Sequence, residues 1–274
     1  MRVLCLVLAA ASPLAAFAAA PFYTEESVAH AATHQNGPFA PNTIVSLYGK
    51  DLSWGTAAAS GIQPGGRLPT ALPNAGVHVM IGGLLAPLYY VSPGQVNFLA
   101  PAMITPGVFD LELVRDGQRG PRVPIRISET APGLFHTDGW VLATRASGSA
   151  VTPEDPAAPG EVVVLYGTGF GQTVPPLTDG LIPRSAAWLP KTTSVKLQLG
   201  DVDASAQVFY AGVTPGFAGL YQVNLALPEE PLENPGVVLS VGDCATPRGI
   251  RLAVRAKPNS PQPSRSRPRL VSCR

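Results

Sequence analysis

The sequence predicts an all-β protein made of two β-sandwich domains in tandem. Three observations predict it: a high content of turn-forming residues, an internal repeat, and many short apolar segments between the turns. The 274 residues include 30 Pro and 28 Gly, whereas 14% are charged and 46% are hydrophobic. This composition excludes coiled coils and long helices, which need long runs without Pro, and the chain is too apolar for a wholly disordered polypeptide.

The internal repeat relates segments that lie 118 residues apart. Residues 40–49 (APNTIVSLYG) match residues 158–167 (APGEVVVLYG). Residues 90–101 (YVSPGQVNFLAP) match residues 210–228 (YAGVTPGFAGLYQVNLALP), and the second copy carries an insertion around residues 217–221. A repeat of this period indicates two homologous structural units.

We therefore predict domains over residues 24–130 and 131–256, each long enough to bury a core of its own. Each has about seven short apolar segments between turn residues, which favours an immunoglobulin-like sandwich, with a barrel as the structural alternative. Asp116-Gly117 lies between two such segments and predicts a hairpin turn. The predicted strands are Ile44–Tyr48, Val77–Ile81, Ala86–Val91, Gln95–Leu99, Val108–Val114, Arg122–Ile127, Val141–Thr144, Glu161–Tyr166, Ser194–Leu199, Ala206–Tyr210, Leu220–Leu227, Gly236–Val241 and Gly249–Val254.

The two ends of the chain carry signals of a different kind. Residues 1–20 combine Arg2, an apolar stretch and small residues before a cut, which is typical of a secretory signal peptide. We therefore predict an exported protein, whether periplasmic, on the cell surface or extracellular. Pro13 and the shortness of the apolar stretch argue against a membrane span. Residues 257–274 are rich in Pro, Ser and Arg and predict a disordered basic tail.

Charge is distributed unevenly along the chain. Residues 257–274 contain five basic residues and no acid, whereas residues 21–256 contain 13 basic and 18 acidic residues. An acidic folded body does not favour nucleic acid as a partner, although the tail could contact an anionic surface polymer. Two cysteines follow the signal peptide, Cys244 and Cys273. For them an intramolecular disulfide, an intermolecular bridge and a free thiol all stay open.

Motifs that imitate active sites have structural interpretations in this sequence. The glycines of residues 167–171 (GTGFG) follow a predicted strand, but Pro175 and Pro176 exclude the helix of a dinucleotide site, so we interpret them as turn glycines. His30 and His34 have the spacing of metal ligands on a helix, but no third ligand is evident, and we expect solvent-exposed histidines at a strand edge. With no nucleophile-elbow motif, we predict no catalytic, cofactor or metal site.

Polar and aromatic residues recur at equivalent positions of the two copies. Gln95 and Asn97, like Gln222 and Asn224, flank a single Val, so that in a strand both amides lie on one face. One interpretation is a polar binding strip. The one we favour is structural, with the amides bonded to the backbone of neighbouring loops. The recurring tyrosines, which we expect in the core or at corners, are Tyr48, Tyr90, Tyr166 and Tyr210.

The repeated blocks resemble an uncharacterised family of exported repeat proteins. The motifs that carry the resemblance, over about residues 24–255, are APNTIVSLYG, LPTALPN, APLYYVSPGQVN, APGLF and GLYQVN. The family is found in acidobacteria such as Solibacter and is related in style to IPT/TIG immunoglobulin-like domains. Asn42 departs from its pattern, which has Gly there as at Gly160, and the basic tail has no counterpart. The resemblance implies an exported module with a surface binding or scaffolding role and no catalytic residues.

These observations predict a non-catalytic exported module that acts in adhesion, envelope assembly or polymer contact, with a protein or polysaccharide as partner. Two alternatives remain. One is a carbohydrate-binding accessory that stacks sugars on the loop tryptophans Trp54, Trp140 and Trp188. The other is an extracellular hydrolase in which acids such as Asp51, Asp179 and Glu161 converge in a cleft. The sequence does not predict the oligomeric state.

Overall fold

The computed structural model describes residues 19–230 and 232–256. Within these ranges every regular secondary-structure element is a β-strand, apart from two 3-10 turns at Glu25–Ser27 and Ser205–Gln207. The predicted all-β fold class is therefore confirmed. Most of the predicted signal peptide, and all of the predicted tail with Cys273, fall outside the described residues.

We refer to residues 19–130 as the N-terminal unit; they contain ten strands in two antiparallel sheets. The strands are β1 (Val28–His30), β2 (Ile44–Tyr48), β3 (Ala57–Ala58), β4 (Val77–Ile81), β5 (Leu84–Leu85), β6 (Leu88–Val91), β7 (Gln95–Leu99), β8 (Gly107–Arg115), β9 (Gln118–Arg119) and β10 (Val123–Ile127). The larger sheet has the order β1-β2-β7-β6-β3. The smaller sheet has the order β10-β8-β4-β5, with β9 paired to β8.

We refer to the described part of residues 131–256 as the C-terminal unit; its main strands repeat this arrangement. The strands are β11 (Gly133–Leu134), β12 (His136–Thr137), β13 (Trp140–Val141), β14 (Ala143–Arg145), β15 (Ala150–Val151), β16 (Val162–Thr168), β17 (Val195–Leu199), β18 (Val202–Asp203), β19 (Val208–Val213), β20 (Tyr221–Ala226), β21 (Val237–Val241) and β22 (Cys244–Ala245). The larger sheet has the order β15-β14-β16-β20-β19, with β11 paired to β16. The smaller sheet has the order β18-β17-β21-β22, and β12 and β13 form a separate hairpin.

The two sheets of each unit face each other across an apolar core because their strands alternate. In β10, Val123, Ile125 and Ile127 are buried, while Pro124 and Arg126 between them are exposed. One apolar cluster draws on both sheets of the N-terminal unit, and a second draws on both sheets of the C-terminal unit. Each fully buried Val, Leu or Ile contributes about 1.5–3 kcal/mol through the apolar surface that it removes from water.

Most predicted strands are present, and three of them, β2, β4 and β7, have the predicted bounds. The turn at Asp116-Gly117 is confirmed, with φ of 46° and 79° at its two residues, as a two-residue hairpin of this type requires. The strand predicted over Gly249–Val254 is wrong. Its backbone amides bond to separate segments, since Arg251 donates to the carbonyl of Gly139 and Leu252 to the carbonyl of Pro235, so no ladder forms.

The two units contact each other through loops that pair as an antiparallel bridge. The amide of Gly65 donates to the carbonyl of Ile182 at 2.7 Å, and the amide of Ile182 donates to Gly66 at 2.9 Å. The amide of Leu68 donates to Gly180 at 2.9 Å. Leu68 and Ile182 are both buried in a small apolar cluster at this contact, so backbone pairing and apolar burial join the units together.

The insertion of the second repeat lies at this same contact. Ala218 is 1% exposed and belongs to the cluster that joins the units. The hydroxyl of Thr168 donates to the carbonyl of Gly219 at 2.7 Å and accepts from the amide of Ile44 at 3.0 Å. The hydroxyl of Tyr89 donates to the carbonyl of Ala218. The residues that distinguish the second copy from the first therefore dock it against the first.

Candidate functional site

The recurring polar residues of the N-terminal unit lie on the outer face of its larger sheet. In β7, Val96 is fully buried in the core, while Gln95 and Asn97 on either side of it are half-buried. Tyr48 pairs with Gln95, and Tyr90 pairs with Asn97. Residues directly opposite each other in a ladder share a face, so these four side chains form one outward-facing group, the first tetrad.

The C-terminal unit has the same group in the same register. In β20, Val223 is fully buried, while Gln222 and Asn224 are half-buried. Tyr166 pairs with Gln222, and Tyr210 pairs with Asn224. These four residues form the second tetrad. The two copies therefore present Tyr, Gln, Asn and Tyr in one arrangement.

The amides of each tetrad bond to each other. Gln95 Nε2 donates to Asn97 Oδ1 at 2.9 Å, and Gln222 Nε2 donates to Asn224 Oδ1 at 2.9 Å. The bonds to loop backbone that we expected for these amides do not occur among the described residues. The internal bond uses one donor and one acceptor, so each pair keeps further donors and acceptors on the outer face.

The tyrosines of the tetrads differ in exposure. Tyr210 is 7% exposed, and its hydroxyl donates to the carbonyl of Val213 at 2.7 Å. Tyr90 and Tyr166 are half-buried. Tyr48 is not in the core, because it ends β2 on the outer face and is 41% exposed.

The second tetrad is extended on both sides by apolar side chains. On one side, the backbone amide of Tyr166 donates to the carbonyl of Leu142 at 3.3 Å. On the other side, Trp188 forms an antiparallel β-bridge with Gly212, which pairs with Gln222 in the ladder. Leu142 is 45% and Trp188 52% exposed. The row across the sheet is Leu142, Tyr166, Gln222, Gly212 and Trp188, and we call these five residues the outer strip. It contains no charged side chain, and at about 4.8 Å per strand it extends roughly 19 Å across the sheet.

A groove of about 580 Å³ includes the Leu142 end of the outer strip. Its floor is formed by β13, β14 and the neighbouring end of β16, and one wall is the chain from β15 to Glu154. Its lining includes Trp140, Leu142, Thr144, Pro153, Glu154 and Tyr166. The volume lies within the range of ordinary ligand pockets, about 300–1,000 Å³.

Trp54 is an exposed indole that is held on one face. It is 51% exposed, and its Nε1 donates to Asp116 Oδ2 at 2.6 Å. The guanidinium of Arg115 lies 3.7 Å from the centre of its ring. The hydrogen bond and the cation–π contact fix the ring while leaving part of it open to solvent.

The other two tryptophans are also held by a neighbour. Trp140 is half-buried at the groove, and the guanidinium of Arg251 lies 4.4 Å from its ring centre. Trp188 packs edge-to-face on Tyr210 with 4.7 Å between the ring centroids, which places it over the second tetrad. None of the three indoles is fully buried. Trp140 and Trp188 flank one sheet face, whereas Trp54 lies in the other unit.

Several solved structures are similar to this chain at low identity. A surface glycan-binding protein from Prevotella bryantii is 11% identical, with a TM-score of 0.26. The match covers 85% of this chain and 42% of that protein's chain. A second such protein, from a mixed-linkage glucan utilization locus of Bacteroides ovatus, is 11% identical, with a TM-score of 0.32. The match covers 79% of this chain and 42% of that protein's chain. Domains 5–6 of the S-layer protein SbsC are 11% identical, with a TM-score of 0.26. The match covers 87% of this chain and 100% of the SbsC fragment.

The chain thus spans less than half the length of the two glycan-binding proteins. With TM-scores below 0.5, these similarities carry no information on a ligand or partner. No protein-family model matches the sequence, and the comparison with curated proteins finds no significant match.

His30 is buried, contrary to the expectation of an exposed histidine. It is 2% exposed, its Nε2 donates to the carbonyl of Ala131 at 3.0 Å, and its Nδ1 accepts from the amide of Ala32 at 3.2 Å. Burial lowers the pKa of this imidazole to about 4. His34 is exposed and packs edge-on against His136, and no three potential ligands converge as a metal site among the described residues.

The three acids considered for a hydrolase, Asp51, Asp179 and Glu161, occupy different parts of the fold. Glu161 precedes β16 and pairs with Arg145 at 2.9 Å. Asp179 lies at the contact between the units, where it accepts from the amide of Ala102. The contact lies at the opposite end of β16, and seven residues of strand separate these ends by about 20 Å. Asp51 occupies a turn of the N-terminal unit with a φ of 56°.

The remaining residues singled out in the sequence have structural positions. Gly169 and Gly171 have φ of 80° and 88°, so their interpretation as turn glycines is confirmed. A Cβ at Gly169 would lie 2.1 Å from the carbonyl oxygen of Ala131, which also requires glycine.

Cys244 is half-buried and has no disulfide partner among the described residues. The described ranges contain no helix with the length and hydropathy of a membrane span.

Proposed function

We propose that the chain is a non-catalytic, exported module that binds a neutral polysaccharide on the outer strip of its C-terminal unit. The observation that carries this proposal is the uncharged row from Leu142 through Tyr166 and Gln222 to Trp188, open to solvent on one face of one sheet. Export is part of the proposal and is supported by the character of residues 1–20.

The chemistry of the outer strip suits sugars. The flat, apolar faces of sugar rings stack on aromatic side chains, and Tyr166 and Trp188 supply these at either side of the amides. Sugar hydroxyls both donate and accept, and the primary amides of Gln222 and Asn224 keep a free donor and a free acceptor for them. A charged ligand would find no opposite charge in the row, so the site favours a neutral chain.

The geometry favours a chain over a single sugar. The row crosses the sheet for roughly 19 Å, because it spans neighbouring strands about 4.8 Å apart. The first tetrad is the shorter version of this surface. In the first tetrad, Tyr90 has Ala58 of the edge strand beside it. In the second tetrad, the equivalent Tyr210 has Trp188 packed over it. We therefore assign binding to the second copy and use the first as an internal control.

The test is co-sedimentation of the full chain with a panel of insoluble neutral and charged polysaccharides across a salt series. We expect salt-resistant retention on at least one neutral polymer. Tyr166→Ala and Trp188→Ala should each weaken it at least tenfold, and the matched variant Tyr48→Ala should leave it unchanged. Retention on none of the neutral polymers, or equal loss in Tyr48→Ala, would contradict the proposal.

A further inference from the structure

The chain leaves the described fold beside the groove. The amide of Arg255 donates to the carbonyl of Ala157 at 2.9 Å, and Val254 forms a parallel bridge with the same residue. Ala157 is only three residues beyond Glu154, which lines the groove. Residues 257–274 follow this exit point. An extended chain covers about 3.1 Å per residue, so 18 residues reach any part of the groove.

The groove has an apolar floor and an acidic rim. Trp140, Leu142 and Tyr166 offer aromatic and aliphatic surface, and Asp138 and Glu154 are the charged residues of its lining. The guanidinium of Arg251 packs over one face of Trp140, so a ligand in the groove meets the other face and the edge of this ring. Neither acid takes part in an ion pair among the described residues. The neighbouring acids Asp155 and Glu161 differ in this respect, because each pairs with Arg145 at 2.9 Å.

The segment that follows the exit point has the complementary composition. Residues 257–274 contain four prolines, five basic residues and no acid. Proline-rich segments dock in aromatic-lined grooves as extended polyproline helices, which lose little conformational entropy on binding. Arginines between the prolines then pair with carboxylates on the rim.

We propose that residues 257–274 bind within the same molecule in this groove, with prolines against Trp140 and Tyr166 and arginines on Asp138 and Glu154. Attachment to the fold favours this occupant over a separate partner. A short tether gives an effective concentration of about 1 mM, so an intrinsic Kd near 100 µM fills the groove in about nine molecules of ten.

The inference does not depend on the proposed function, but the two share a surface. Leu142 and Tyr166 belong both to the groove and to the outer strip. A segment held in the groove therefore covers one end of the strip. A polysaccharide that binds the strip would have to compete with it.

The experiment uses the full chain, a chain that ends at Ala256, and a fluorescent peptide of residues 257–274 with Cys273→Ser. The shortened chain keeps every residue of both apolar cores, and its far-UV circular dichroism and Tm are compared with those of the full chain. By anisotropy we expect the peptide to bind the shortened chain with a Kd of about 10–100 µM at low salt, and at least fivefold more weakly in 0.5 M NaCl. The full chain, whose groove is filled, should bind it at least fivefold more weakly than the shortened chain.

Matched variants separate specific docking from simple charge attraction. Tyr166→Ala and Glu154→Lys should weaken peptide binding to the shortened chain at least tenfold, whereas Tyr48→Ala should not change it. A peptide with its prolines replaced by serine and its arginines kept should bind at least fivefold more weakly. No binding to the shortened chain, equal binding to both chains, or equal binding of the serine peptide would overturn the proposal. Retention of the full chain by a polysaccharide is measured separately, so either proposal can fail while the other holds.

Discussion

Tyr89 of the N-terminal unit donates its hydroxyl to the carbonyl of Ala218 in the C-terminal unit, and its equivalent in the second copy, Phe209, has no such contact. Both residues lie in a register shift of the ladder, between Leu88 and Tyr90 in one copy and between Val208 and Tyr210 in the other. Burial at the contact raises the pKa of Tyr89, whereas Phe209 is 52% exposed. The same bulge thus anchors one unit and leaves an aromatic ring in solvent on the other.

This difference predicts unequal costs for truncating the two rings. Tyr89→Ala removes a half-buried ring and leaves the Ala218 carbonyl without its donor, and we expect it to lower the free energy of unfolding by about 2–4 kcal/mol. Phe209→Ala, at the equivalent position, should change it by no more than about 0.5–1 kcal/mol. Urea denaturation of both variants measures this. Similar losses in the two variants would mean that the contact between the units contributes little to stability.

Gly219 in the insertion and Gly216 just before it provide a second matched pair. Gly219 has a φ of 65°, and a Cβ there would lie 2.4 Å from Leu99 Cδ2 and 2.7 Å from the carbonyl oxygen of Asn42. Gly216 has a φ of 87° and no heavy atom within 4 Å of its Cβ position. Alanine is strained at both positions because of their positive φ, so the difference between the variants isolates the close approach of the two units.

We expect Gly219→Ala to destabilise the protein by about 1–3 kcal/mol more than Gly216→Ala does, as overpacking usually costs. Thermal and urea unfolding of the two variants give the difference. Equal destabilisation would mean that the units separate slightly at no cost, which the three backbone hydrogen bonds between their loops argue against.

The sequence was sufficient to predict the strands that are buried on one face, but not what covers their other face. The short apolar segments between turn residues predict both Ile44–Tyr48 and Gln95–Leu99 as strands, and the two-residue period of a strand predicts the shared face of the amides. The position of Trp188 over Tyr210 depends on a loop that returns to the edge of the sheet, and no local pattern reports such a contact. His30 is buried for a similar reason, because its partner, the carbonyl of Ala131, is 101 residues away.

The paired amides predict the same coupling in both copies. The Gln95–Asn97 and Gln222–Asn224 bonds have equal length and similar exposure, so double-mutant cycles with alanine should give similar coupling free energies of about 0.5–1 kcal/mol. The single and double variants are compared by urea denaturation. Coupling in only one copy would mean that the shared geometry serves different purposes, and would favour a functional role for the uncoupled amides.

The buried His30 predicts a loss of stability in mild acid. Its pKa is about 4 in the folded protein, against 6.5 for an unperturbed imidazole, because burial disfavours the charged form. The unfolded chain therefore takes up the proton first as the pH falls. The stability that neutral His30 contributes is fully present above about pH 6.5 and is lost progressively from about pH 6.5 to 4, to a total of roughly 2–3 kcal/mol.

His30→Asn and His78→Asn isolate this effect from the titration of the carboxylates. Asparagine at position 30 keeps an acceptor for the amide of Ala32 but does not titrate, so the free energy of unfolding of His30→Asn should fall less steeply than that of the parent between pH 6.5 and 4. His78 is exposed and bonds to the carbonyl of Thr70 at 3.1 Å, so His78→Asn is the matched control for replacing an imidazole at the surface. If His30→Asn keeps the parent slope, the imidazole of His30 is charged in the folded protein over this pH range. Both of its ring nitrogens would then carry a proton. The second N–H would face the amide of Ala32, which is itself a donor, so this contact would be unfavourable.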